Sequence, residues 1–217
     1  MSSNYKFWRN ITNRFLDHCK KENLPLYGNP QWYDQEGTIN VIAIRKNNEL
    51  DFNNRKRNND ILMVFENRPE DSFRYYEFPC TTDPCAPITL RDFARLKKGR
   101  AHLCEGAYNS YTVRPHNWVR GRTALGQDIN PVRVARSDNN GKFIKYDAGF
   151  FGINVHDAGR FWNSSLGCII ISYENEWQYK AEFKPLLERA KPIHKKLGIN
   201  FTLFLINNKT LEKIMNE

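Results

Sequence analysis

The 217 residues carry 33 Lys and Arg against 24 Asp and Glu, a formal net charge of +9 with a sequence pI near 9.3. Hydrophobic residues make up 40% and aromatics 13%, a globular composition that excludes a disordered or fibrous chain and is long enough for one sizeable core. No apolar run approaches the roughly 20 residues of a membrane helix, and the positive charge favours a polyanionic partner, either nucleic acid or an anionic cell-wall polymer.

Residues 5 to 23 space Trp8, Ile11, Phe15, Leu16 and Cys19 at helical intervals, and Asn23-Leu-Pro25 ends the pattern. Thr38 to Ile44 reads as a strand, the Asn-, Lys- and Arg-rich run from Arg45 to Asn59 as a solvated loop, and Asp60 to Phe65 as a strand buried on both faces. Tyr75 to Phe78 is a third strand that runs into the turn sequence Thr81-Thr-Asp-Pro84. Ala101 to Cys104 and Gly106 to Tyr111 alternate as strands or a hairpin, Ala124 to Gln127 and Val132 to Val134 continue in short strands, and Asp138-Asn-Asn-Gly141 is a turn. Asn175 to Leu197 has helical spacing broken or kinked by Pro185 and Pro192, Phe201 to Ile206 is a last strand, and Lys209 to Glu217 a short helix. The reading is a mainly β (α+β) chain with helices at its ends. Residues 1–37 form an N-terminal helix and extension, and 38–217 the main domain with its helical and strand tail.

Five cysteines, Cys19, Cys80, Cys85, Cys104 and Cys168, are an odd number without paired Cys-x-x-Cys spacing. The pattern argues against a structural zinc site and for a reducing compartment, with buried thiols and one reactive one. The N-terminus lacks the apolar run of a signal peptide, so the expectation is synthesis in the cytoplasm without a leader. No metal or cofactor is expected.

The chemistry concentrates between Gly152 and Ile171, two short apolar strands joined by a polar loop. His156 ends the first strand, and Gly167-Cys168 opens the second. A thiol attacks only as thiolate, so a reactive cysteine needs a base within hydrogen-bond reach, which a hairpin folding His156 onto Cys168 would supply. Gly167 is expected to leave backbone N–H groups near the sulfur open to an oxyanion. Among the other histidines, His18 and His194 are expected at the surface among lysines, and His102 sits in a strand. His116 lies in a loop that can face the same groove as Cys168. In papain-like folds the cysteine precedes its histidine at long range, whereas here the histidine comes first and close.

These residues resemble the catalytic signature of L,D-transpeptidase-fold enzymes, in which a strand-end histidine is followed by a Ser/Thr-x-Gly-Cys nucleophile motif. The likeness is greater to a divergent branch common in phages and prophages, with Asn-Ile-His and Ser-Ala-Gly-Cys cores. Here the corresponding segments are Asn154-Val-His156 and Ser165-Leu-Gly-Cys168. The resemblance extends upstream through Gly106-Ala-Tyr108, His116 and Ala124-Leu-Gly-Gln127 to Thr81-Thr-Asp-Pro84, over residues 38 to 173. Leu166 stands where the usual motif has His, and Ile170 where it has Arg, so the transpeptidase branch's substrate contacts do not carry over.

The resemblance implies an L,D-transpeptidase-like β-sandwich or barrel core and acyl transfer on peptidoglycan. Cys168 is the nucleophile, His156 its base, and Gly167 part of the oxyanion site. Ser164 and Ser165 either bond the tetrahedral oxygen or cap the turn. Arg160, with Arg120 and Arg122, is a candidate for substrate carboxylates. His116, Trp162, Trp118, Tyr108 and Tyr111 are candidates for the groove. Hydrolysis of a stem-peptide or cross-link bond, as by a phage endolysin released onto the wall, is the leading expectation. A transpeptidase that forms or exchanges cross-links is the alternative within this chemistry. A basic nucleic-acid-binding protein with a buried Cys168 is the alternative outside it, and no recognition motif supports it.

Overall fold

The computed structural model describes residues 3–46, 59–69, 72–84, 99–116, 123–138, 140–157, 167–172 and 176–217. Strand β1 spans Leu26–Tyr27, β2 Ile39–Arg45, β3 Asp60–Asn67, β4 Phe73–Thr81, β5 Arg100–Leu103 and β6 Gly106–Pro115. They are followed by β7 Thr123–Gln127, β8 Val132–Ser137, β9 Phe143–Gly149, β10 Val155–Asp157, β11 Ile169–Ile171 and β12 Phe201–Asn207. Helix α1 covers Ser3–Lys21, α2 Lys184–Leu197 and α3 Asn208–Asn216.

The larger sheet runs β1-β6-β12-β2-β3-β4-β11-β10-β7, and β7 pairs back onto β6. Eight strands thus close into a barrel, with β1 sharing the β7 edge of β6 at Ala107 and Tyr108. The closing strand β12 comes from the far end of the chain and lies parallel to β2 and antiparallel to β6.

Strand alternation sorts the apolar residues into two cores. Ile39, Val41 and Ala43 of β2 face the interior with Leu62, Val64, Phe78, Val155, Ile169 and Ile171. Ile42 and Ile44 face outward with Met63, Phe65, Phe204 and Ile206, where Ile11, Phe15 and Cys19 of α1 and Leu211 and Ile214 of α3 cover them. Coverage on both sides explains why β2 and β3 read as continuous apolar runs. Asn23, at φ 55°, makes the left-handed turn after α1. After a helical turn at Glu176–Gln178 and a π-helical stretch at Tyr179–Phe183, α2 sends Leu186, Leu187 and Ala190 into the interior core. Pro185 occupies the first turn of α2, where its missing N–H costs nothing, while Pro192 lies inside the helix without ending it. Gly198, at φ 67°, ends α2, and the next N–H, of Ile199, bonds back to the His194 carbonyl at 3.0 Å.

The smaller sheet, β5-β8-β9, packs Ala101, Leu103, Val132 and Val134 into the same interior core. The strands expected as a hairpin, β5 and β6, therefore lie in different sheets. A buried polar network ties the sheets together. Arg45 Nε lies 3.0 Å from Thr82 Oγ1 and 3.2 Å from the Asp83 carboxylate, and its Nη2 donates to the Leu103 carbonyl at 2.9 Å. Thr82 Oγ1 donates to Asp60 at 2.7 Å, and His102 bridges Asp83 and Ser137 at 3.3 and 2.9 Å. Arg45 is 1% exposed, so the run predicted as a solvated loop begins instead with a buried cation that ends β2. Residues 47–58 of that run lie outside the described residues.

His194, expected at the surface, is 1% exposed. It sits on the apolar stripe of α2, stacks on Phe201 at 3.7 Å and accepts the Ile39 N–H at 3.1 Å. Burial holds its imidazole down at about 4. Trp177, in the predicted apolar spacing of the C-terminal helix, is exposed.

Candidate active site

The register Val155–Ile169, His156–Ile170, Asp157–Ile171 sets β10 parallel to β11. This overturns the expected hairpin, whose two strands would run antiparallel. Val155, Ile169 and Ile171 point into the barrel, so His156 and Ile170 occupy the outer face. Cys168 stands two positions before Ile170, roughly 6.6 Å along the strand.

The Cys168 thiol donates to the Gly152 carbonyl at 3.4 Å and accepts the Asn154 N–H at 3.4 Å. Both are backbone groups of the segment that leads into β10, so that segment holds the sulfur just ahead of β11. Of the cysteines described, Cys168 alone is partly exposed. Burial pushes the Cys19 thiol up to about 12, Cys104 to about 11 and Cys80 well above its ordinary value. Those three are inert packing groups.

His156 Nδ1 lies 2.5 Å from the Asp157 carbonyl oxygen. A carbonyl only accepts, so Nδ1 carries the proton and Nε2 keeps its lone pair, the tautomer a base needs. Asp157 follows His156 directly in β10, so alternation sends its side chain to the opposite face of the strand.

Asn154 organises the rest of the site. Its Oδ1 accepts the Gln127 N–H at 3.1 Å, which fixes the amide orientation. Nδ2 therefore donates to His116 Nδ1 at 3.1 Å and leaves the His116 proton on Nε2. The His116 ring stacks on that of His156 with centroids 3.7 Å apart. Arg114 brings a guanidinium nitrogen to within 3.5 Å of Asn154 Oδ1. Gln127 fastens the approach to the sulfur: its Oε1 accepts from Phe151 N at 3.0 Å and Ile153 N at 3.2 Å, and its Nε2 donates to Gly149 O at 2.8 Å. The Ala124–Gln127 segment was legible as a strand, but the work of the Gln127 and Asn154 amides was not, because it depends on which loop folds against them.

Gly167 has a packing reason to be glycine. A Cβ there would lie 2.6 Å from Ile153 Cδ1 and 2.8 Å from the Ala101 carbonyl oxygen, so β5 fixes the backbone that leads into Cys168. Gly152, at φ 67°, has open space around its Cβ position and is needed for conformation alone.

The structure thus brings together Cys168, Gly167, His156 and His116. Arg160, Trp162, Ser164 and Ser165, with Trp118, Arg120 and Arg122, lie outside the described residues. Tyr108 is not a groove residue. It is fully buried, stacks on Tyr27 at 6.0 Å and donates to the Cys104 carbonyl at 2.7 Å. Tyr111 is also buried, beneath the site, its phenol pushed up by burial and then by the field of Cys168.

A second hydrogen-bonded row, Ser137–His102–Asp83, has the order of a nucleophile, base and orienting acid. Ser137 and His102 are 0% exposed and Arg45 neutralises Asp83, so the row ties sheets together and offers no surface to a substrate. Among the described residues, no group of three or more His, Cys, Asp or Glu is arranged to hold a metal, and no helix is long and apolar enough to cross a membrane.

No family model, curated protein or solved structure matches the chain.

Proposed function

We propose that the protein is a cysteine peptidase of L,D type acting on the stem peptides of peptidoglycan, as a phage endolysin does. One observation carries the reading. A half-buried thiol is held between the Gly152 carbonyl and the Asn154 N–H, while the adjacent strand presents a histidine fixed in its basic tautomer. In the proposed reaction His156 Nε2 takes the Cys168 proton, and the thiolate attacks a peptide carbonyl. Collapse of the tetrahedral adduct breaks the C–N bond, and the leaving amine takes the proton from His156. Water, deprotonated by the same nitrogen, then splits the thioester into a carboxylate and the free thiol. The net charge of +9 supports an anionic polymer as substrate.

Digestion of purified sacculi, with mass spectrometry of the released muropeptides, tests this. New fragments that disappear with Cys168→Ala support hydrolysis. New cross-links on addition of an acceptor amine would assign a transpeptidase instead. Unchanged muropeptides, together with a salt-dependent DNA shift that survives Cys168→Ala, would favour nucleic-acid binding.

A further inference from the structure

The strand β9 leads out of the candidate site and is exposed along most of its length. Ile144 is 50%, Tyr146 55% and Phe150 63% exposed, and Ala148 between them is also exposed. Alternation puts Tyr146 and Ala148 on one face, and the chain runs on from β9 through Phe150 to Gly152, whose carbonyl accepts the Cys168 thiol. From Ile144 to Phe150 the segment spans roughly 20 Å at 3.3 Å per residue. Among the described residues β9 pairs only with β8, so its outer edge presents a series of main-chain donors and acceptors. Edge strands are ordinarily blunted by charge, proline or brevity, and this one carries large apolar side chains instead. The Gln127 amide holds residues 149 to 153, so the register between this edge and the sulfur is fixed.

We infer that β9 is the docking strand of the substrate, and that its occupant is an extended, carboxylate-bearing peptide that adds along the strand's outer edge, from Tyr146 towards Phe150, with its scissile carbonyl delivered to Cys168. This rests on the thiol chemistry proposed above. Only a polyamide satisfies a strand edge in series, so the peptide portion of the substrate docks there, not its sugars. The charge of the occupant follows from the surroundings. Lys142 and Lys145 are exposed, and the Arg133 guanidinium lies 4.7 Å from the centre of the Tyr146 ring. The nearby acids are engaged: Asp138 accepts from the N–H groups of Asn140 and Lys142, and Asp147 pairs with Arg136. That cationic surround, on a chain of net charge +9, disfavours a second copy of the protein as the occupant.

Co-sedimentation with purified sacculi tests the inference without turnover, using full-length Cys168→Ala protein with and without Tyr146→Ser and Phe150→Ser. The docking strand predicts at least a tenfold loss of binding with the two serines. In the Cys168 background the same pair should raise KM with kcat unchanged and leave the rate of thiol alkylation by iodoacetamide as in the wild type. Purified stem tetrapeptide should compete for binding, and glycan strands stripped of peptide should not. Unaltered binding with the serine pair, competition by bare glycan alone, or a dimer in solution that the serine pair dissociates would each overturn it. Unchanged muropeptides alongside β9-dependent binding would sink the hydrolytic reading and leave the docking strand standing.

Discussion

His116 lies flat on His156, with ring centroids 3.7 Å apart and planes 19° from parallel. The two rings are not equivalent. His116 accepts from Asn154 at its Nδ1, whereas His156 turns its Nδ1 to the Asp157 carbonyl. His156→Ala is expected to lower turnover by roughly 10²–10⁴-fold, the usual contribution of a general base. His116→Phe keeps the stack and removes the acceptor for the Asn154 amide. It should cost less than about tenfold in turnover. Equal losses in the two variants would contradict the division of roles.

Gly167→Ala places a methyl 2.6 Å from Ile153 Cδ1 and 2.8 Å from the Ala101 carbonyl oxygen. The side chain can rotate away but the carbonyl cannot, so denaturant unfolding should show a loss of about 1–3 kcal/mol, typical of overpacking. Adding Ile153→Val should recover only part of it.

Gln127→Ala leaves the N–H groups of Phe151 and Ile153 without their acceptor. A buried, unsatisfied donor such as Ile153 N–H costs about 1–3 kcal/mol and the half-buried Phe151 N–H less, so the variant should be destabilised by roughly 2–4 kcal/mol. Because the Gly152 carbonyl rides on the same loop, kcat should also fall in protein that is still folded at low temperature.

The buried His194 gives an acid limit to stability. Its imidazole is held at about 4 when folded, against 6.5 for the free side chain. Stability from this group is complete above about pH 6.5, falls as the pH drops because only the unfolded chain takes up the proton, and stops changing below about 4. At 1.36 kcal/mol per pH unit the whole window is worth roughly 3 kcal/mol. His102, lowered mainly by burial, acts with the same sign. Urea midpoints across pH 4–6.5 should therefore slope less steeply in His194→Gln, which retains an acceptor for the Ile39 N–H.

How much of this was legible depended on whether the signal was local. The long helices and the strands β2, β3 and β12 were, because their apolar periods span whole elements. That the strands β10 and β11 are neighbours was legible but their direction was not, since a period of two fixes the face of a strand and not whether its neighbour is parallel. Strand β9 goes unpredicted although Ile144-Lys-Tyr-Asp-Ala148 alternates apolar with polar residues and the preceding Asn-Gly turn is a hairpin signal; both signs were present in the sequence. Arg45 reads as loop by its charge, and the partner that buries it, Asp83, is far away in sequence. His194 could have been placed from Leu186, Leu187 and Ala190, whose helical stripe it continues.

The central claim is that Cys168 is a nucleophile activated by His156, and intact-protein mass spectrometry during digestion of sacculi tests it most directly. On acid quenching, wild-type protein should carry a substrate-derived acyl adduct mapped to Cys168, alongside newly released muropeptides. His156→Ala should show neither, and Cys168→Ala should be inert. Muropeptide release that persists in Cys168→Ala, or an adduct on any other residue, would contradict the account.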